Sequence, residues 1–172
     1  MISDDDIVKV KRDTLQVGII QRTDTRVITN MDDIIDMLMK NLPHDTNLTI
    51  TTNMPYAIEE QAAWFATKDV IIAAHGAALM NCIFILPQTI VMQLYPVGYF
   101  WQSLESAIEL PGGIALDTYS GRRVDVELPM FNWLEKKVKK DWNDQNVARD
   151  SNITVEPSNV VYPILNVMGL LA

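Results

Sequence analysis

The chain has 172 residues, 48% of them hydrophobic, which suffices for one compact domain with a substantial core and falls short of two full-sized ones. Its formal net charge of −8 and pI near 4.6 exclude a broad basic face that would hold nucleic acid by neutralising phosphates. An anionic ligand therefore needs local help, from a few arginines or a helix N-terminus.

The acidic start Met1-Ile2-Ser3-Asp4-Asp5-Asp6 lacks the basic-then-apolar order of a signal peptide, and no apolar run reaches the roughly 18 residues of a spanning helix. The sequence therefore predicts a soluble chain with no targeting or membrane segment in this stretch. The sequons Asn47-Leu48-Thr49 and Asn152-Ile153-Thr154 matter only in a secretory lumen, and the compartment stays open.

Taken in order, Leu15 to Ile20 reads as a strand. Asn30 then offers an N-cap for a helix with Ile34, Ile35, Leu38 and Leu42 on one stripe, stopped at Pro43. Leu48 to Thr52 reads as a second strand, and Ile58 to Ala66 as a helix with Glu59 and Glu60 in its first turn, where the macrodipole favours acids. Asp69 to Ala74 is a nearly unbroken apolar run that ends in His75-Gly76, which predicts a central strand buried on both faces, followed by a tight turn and a helix from Ala77. Thr89 to Leu94 makes a fourth strand, a helix runs on from Tyr99-Phe100-Trp101 through Ile108, and Ile114 to Tyr119 follows as a short strand. A basic, aromatic helix around Trp133 to Trp142 and an apolar segment from Val160 to Leu171 complete the chain. Alternating strands and helices predict an α/β, Rossmann-like parallel sheet over residues 1–128, with a helical extension over 129–172 packing on it.

The candidate site is His75-Gly76-Ala77-Ala78-Leu79-Met80-Asn81, because open α/β sheets bind ligands outside the carboxyl ends of their strands. Gly76 and the small Ala77 and Ala78 permit close approach of a ligand to backbone, and the N–H groups of the helix they open suit a phosphate. His75 could donate to a phosphate or sugar oxygen, and Asn81 to a base, ribose or sugar hydroxyl. Equally, the small residues could ease helix–strand packing while His75 caps the turn. The segment Gln21-Arg22-Thr23-Asp24-Thr25-Arg26 opens onto the same edge, and arginine presents a planar fork of donors to phosphate oxygens. Against this stands a solvated loop in which Arg26 pairs with Asp24 or Asp32. Glu60 could reach a ribose, whereas Glu59 reads as a dipole partner and His44 as an exposed loop residue. Tyr99, Phe100 and Trp101 could stack on a base or belong to the core. Cys82, the single cysteine, sits in an apolar run and reads as a buried structural thiol. The chain lacks a P-loop, a Gly-x-Gly-x-x-Gly fingerprint, a Gly-x-Ser-x-Gly elbow and a paired-histidine metal motif.

Three blocks together resemble glycosyltransferase family 61. They are Ile20-Gln21-Arg22 with Arg26 and Ile28; then Glu60-Gln61 with Ala66 and Asp69-Val70-Ile71; then His75 to Asn81 with Phe84, Pro87 and Val91-Met92-Gln93-Leu94-Tyr95-Pro96. The resemblance implies inverting transfer from a nucleotide sugar, a UDP-sugar for preference, to a glycan or protein acceptor. It further implies the C-terminal, donor-binding half of a GT-B scaffold and no metal or other cofactor. Arg22 and Arg26 match the family's arginine block and are expected to face the diphosphate, while His75, Gly76, Ala77 and Asn81 match its donor-site block. Ala78 and Gln88 stand where glycine is frequent, and Gln93 where a glutamate is common. The length leaves no room for the family's acceptor-binding N-terminal domain, so a fragment that works with a missing domain or second chain is expected. His75 is the one candidate base, although a donor role toward phosphate suits it better. The competing reading is a non-catalytic module that binds sugar nucleotides or serves assembly.

Overall fold

The computed structural model describes residues 13–97, 99, 104–120 and 148–171. Five parallel strands, β1 (Gln16–Ile20), β2 (Asn47–Thr51), β3 (Val70–Ala74), β4 (Ile90–Tyr95) and β5 (Ile114–Tyr119), form one sheet in the order β2-β1-β3-β4-β5. The helices α1 (Met31–Asn41), α2 (Ile58–Ala66), α3 (Glu105–Glu109) and α4 (Pro157–Val167), with a 3-10 helix at Ala77–Phe84, cover both faces. This is the expected α/β, Rossmann-like arrangement.

Side chains alternate across each strand, so the two faces build separate cores. Val17, Ile19, Val70, Ile72, Ile90, Met92 and Leu94 pack against Ile34 and Leu38 of α1 and Val161, Ile164 and Leu165 of α4. On the other face Ile20, Ile71, Ala73 and Val91 meet Phe65 of α2, Leu79 and Cys82 of the 3-10 helix, and Ile108 of α3. β3 and β4 are buried along their whole length, which accounts for their continuous apolar sequences. Gly18 lets α2 approach β1, since a Cβ there would lie 2.7 Å from the Trp64 ring.

Two local expectations differ. Asn30 precedes α1 but makes no side-chain cap. Its amide instead donates to the Val155 carbonyl at 2.7 Å and accepts from the Val155 N–H at 3.3 Å. The helix after Gly76 is 3-10 rather than α, in keeping with the burial of Leu79, Cys82 and Ile85 at every third residue, the repeat of a 3-10 helix. The C-terminal segment adds a parallel bridge, Ile28 to Ile153, and α4 packs on α1 and β5. The expected helix at 133–142, the 128/129 boundary, Phe100 and Trp101 lie outside the described residues.

Candidate functional site

The strand order reverses direction at β1: the chain steps from β1 outward to β2, then crosses back to β3 on the other side. The carboxyl ends of β1 and β3 thus flank a topological switch point, the place where open α/β sheets leave a ligand crevice. The arginine loop leaves β1 there, and His75-Gly76 leaves β3. The sheet brings these two segments together.

Arg26 has φ +55°, an uncommon left-handed conformation for a non-glycine residue, costing about 1–2 kcal/mol. Strain of this kind is concentrated at functional sites. The loop is closed beneath it by Gln21, whose side chain donates to the Ile28 carbonyl at 3.2 Å and accepts from the Ile28 N–H at 3.4 Å. Arg26 Nη1 donates to the His75 carbonyl at 2.6 Å, while its Nε is buried without a hydrogen-bond partner among the described residues. Arg22, not Arg26, pairs with Asp24, at 3.0 Å, and its Nε donates to the Thr25 carbonyl at 2.8 Å. The pair is largely exposed, so it adds little stability. Asp24 lies below the usual carboxylate range, first through the Thr25 backbone N–H and also through Arg22.

Both guanidinium groups close on Gly76. A Cβ at Gly76 would lie 3.2 Å from Arg26 Nη1 and 3.6 Å from Arg22 Nη1. Burial, and then the Arg22 charge, hold Arg26 below the ordinary arginine value. Two cations crowded at one strand end, one with an unused buried donor, make a place that an anion would stabilise. The 3-10 helix contributes the N–H groups of Ala77 and Ala78, which precede its first hydrogen bond, Leu79 N–H to the Gly76 carbonyl at 3.0 Å.

His75 is buried, 3% exposed, and stacks on Tyr95 with ring centroids 4.6 Å apart. Tyr95 stacks in turn on Tyr119 at 5.1 Å, and Tyr99 tilts against the His75 ring at 5.8 Å. Tyr99 therefore packs on the histidine. Desolvation pushes His75 down from its ordinary value, Arg26 adds to this, and a hydrogen bond to Gln93 opposes it, so the ring is neutral near pH 7. The Gln93 contact, 3.2 Å from His75 Nδ1, and the Asp117 carboxylate beyond it were not found from sequence. The one signal for Gln93 was its presence where a glutamate is common.

Asn81 donates to Gln61 at 2.7 Å, tying the 3-10 helix to α2. Ala78 packs against the adjoining core. Glu60 is exposed on the first turn of α2, at the same edge of the sheet, and His44 is exposed in the turn before β2. Cys82 is buried, and burial pushes its thiol up to about 12. An open cleft of about 620 Å³ lies between β5 and α4, and none of its lining residues comes from the loops after β1 or β3. Among the described residues no group of three His, Cys, Asp or Glu could hold a metal, and no helix is long and apolar enough to cross a membrane.

No curated protein matches the chain. The family model for Glycosyltransferase 61 matches residues 5–92, a stretch that contains β1 to β3, both arginines and the segment from His75 to Asn81. With half of its length matched, the chain belongs to the glycosyltransferase 61 family.

Proposed function

We propose that the chain binds the diphosphate of a nucleotide sugar, UDP-linked in the first instance, between Arg22, Arg26 and the turn formed by His75, Gly76, Ala77 and Ala78. In this reading it is the donor half of a GT-B enzyme. The sugar passes with inversion to a hydroxyl of a glycan or glycoprotein acceptor. The single observation that carries the reading is the convergence of two guanidinium groups on Gly76 at the switch point of the sheet.

Inverting transfer breaks the bond between the anomeric carbon and the diphosphate while the acceptor oxygen closes on the opposite face and its hydroxyl proton passes to a general base. Negative charge builds on the departing diphosphate, and preorganised donors aimed at that charge lower the barrier. Arg26 is suited to this by its fixed Nη1, its free Nε and its strained backbone. Arg22 can exchange Asp24 for phosphate, because an exposed ion pair is cheap to break. Two arginines supply the charge that a metal ion provides in other transferases, and the reaction needs no metal on this account.

Calorimetric titration of the purified chain with UDP, without added metal, tests the proposal. Binding that Arg26→Ala weakens by about 1–3 kcal/mol, the usual loss for a hydrogen bond to a charged group, is the expected result. Failure of the wild-type chain to bind UDP at millimolar concentration would overturn the donor-site reading and favour a non-catalytic assembly module.

A further inference from the structure

β3, β4 and β5 run in parallel register, which sets Ala73, Gln93 and Asp117 side by side across the sheet. His75 lies two residues beyond Ala73 and shares its face. A line of side chains results. Gln93 is fully buried, with Nε2 donating to Asp117 Oδ1 at 3.0 Å. An ionised carboxylate only accepts, so the nitrogen of the Gln93 amide must face Asp117 and its oxygen must face away. That oxygen lies 3.2 Å from His75 Nδ1 and 3.5 Å from the Tyr95 hydroxyl, which donates to it. An amide oxygen also only accepts, so Nδ1 of His75 must carry the proton.

We infer that Gln93 and Asp117 are positioning residues that lock His75 as its Nδ1–H tautomer, leaving Nε2 as an acceptor that engages a sugar or acceptor hydroxyl and not a phosphate oxygen. A neutral ring whose single N–H is spent on Gln93 has nothing to donate to a phosphate. The charged and titratable groups around the ring agree with a neutral imidazole. Arg26 lies beside it from the loop after β1, Tyr95 and Tyr99 flank it, and Asp117 and Tyr119 on β5 reach it through Gln93 and Tyr95. A glutamate at position 93 would put a carboxylate against Nδ1 and favour a charged ring able to donate from both nitrogens.

The identity of the ligand rests on the donor-site reading above, whereas the tautomer does not and is measured on the free protein. Long-range 1H–15N correlation of the labelled chain at pH 7.5 distinguishes the two tautomers directly, with exposed His44 as the internal comparison. The Nδ1–H form is expected for His75 in the wild type. In Asp117→Asn the new amide can donate or accept, so Gln93 is free to turn and His75 becomes a mixture. In Gln93→Glu the carboxylate again accepts from Nδ1, and the His75 titration moves to higher pH. A wild-type His75 protonated at Nε2, or an unchanged tautomer in a folded Asp117→Asn, would overturn the inference. Pyrophosphate, which has no sugar or other alcohol hydroxyl, should bind while His75 stays neutral and Nδ1-protonated, and a His75 that becomes protonated at Nε2 on adding it would also overturn the inference. Absence of any UDP or pyrophosphate binding with the Nδ1–H form intact would count against the donor site alone.

Discussion

Arg26 donates from Nη1 to the main-chain carbonyl of His75 across 2.6 Å, joining the loop after β1 to the loop after β3 over 49 positions of sequence. The bond places a guanidinium directly over Gly76, where the neighbouring Arg22 also arrives. The glycine is needed for that space. Its φ of 164° is extended backbone open to any residue, so backbone conformation does not explain it.

Gly76→Ala should therefore fold normally and bind anions poorly. Its Cβ would meet Arg26 Nη1 at 3.2 Å, tight enough that the guanidinium must give way by a few tenths of an ångström, while Cζ at 3.5 Å is in ordinary contact. Displacing one charged hydrogen bond from the diphosphate should weaken UDP binding by about tenfold, or about 1.4 kcal/mol. Calorimetry beside thermal denaturation separates the effects: equal melting temperatures with unequal affinities are expected, and equal affinities would show that the arginines do not need the space.

Gln88 makes the opposite case, a residue whose backbone does want glycine. Its φ is +68°, its side chain is exposed, and its N–H donates to the Gly112 carbonyl at 2.7 Å. Gln88→Gly keeps that bond and removes about 1–2 kcal/mol of left-handed strain, against about 0.5–1 kcal/mol of extra unfolded-state entropy. A net gain of about 0.5–1 kcal/mol in urea denaturation is expected.

Several features of the fold were legible in the sequence for local reasons. The apolar, β-branched run up to Ala74 marked β3, the Pro111-Gly112-Gly113 turn marked the start of β5, and two acids in a first turn marked α2 at the observed residues, Ile58–Ala66. Both halves of the arginine–histidine pair were visible as loops at strand ends. Sequence could not show which arginine takes Asp24, because Arg22 reaches it through a turn whose shape is set by Gln21 and Ile28. Nor could it show the partners of His75: Gln93 and Asp117 become neighbours only through strand register. Asn30 does stand at the N-cap of α1, but sequence could not show that its amide turns to Val155, 125 positions away, instead of capping the helix.

Asp117 predicts a pH dependence of stability. Partial burial of the carboxyl, and then the Glu105 charge, push it up to about 6 from an ordinary value of 3.8, although Asp117 as a residue is exposed and lines the open cleft against α4. Between those values the native state keeps the proton and the unfolded chain loses it, so this group's contribution falls as pH rises from about 4 to 6 and is level above. His75, with its value lowered, acts in the opposite sense below its ordinary 6.5. Comparison with Asp117→Asn isolates the carboxylate: the variant should gain stability relative to wild type as pH rises across that window. A difference that is flat from pH 4 to 7 would mean that Asp117 titrates normally.

The last prediction concerns the segment that holds the arginine loop from behind. Ile153 is fully buried, its N–H donates to the Val27 carbonyl at 2.9 Å, and its carbonyl accepts from the Thr29 N–H at 2.8 Å. These bonds span the chain between the loop's Arg26 and the start of α1, and Asn152 adds a contact to the Val27 N–H at 3.2 Å. Ile153→Ala should cost about 2–5 kcal/mol through the cavity it leaves. Because the cavity lies under the bridge to Ile28, the loss should not be spread evenly. Hydrogen exchange should show the amides of Ile28 and Thr29 opening before those of β3 and β4, whose bonds lie in the middle of the sheet. Uniform loss of protection would instead mean that the C-terminal segment stabilises the domain as a whole and has no particular hold on the arginines.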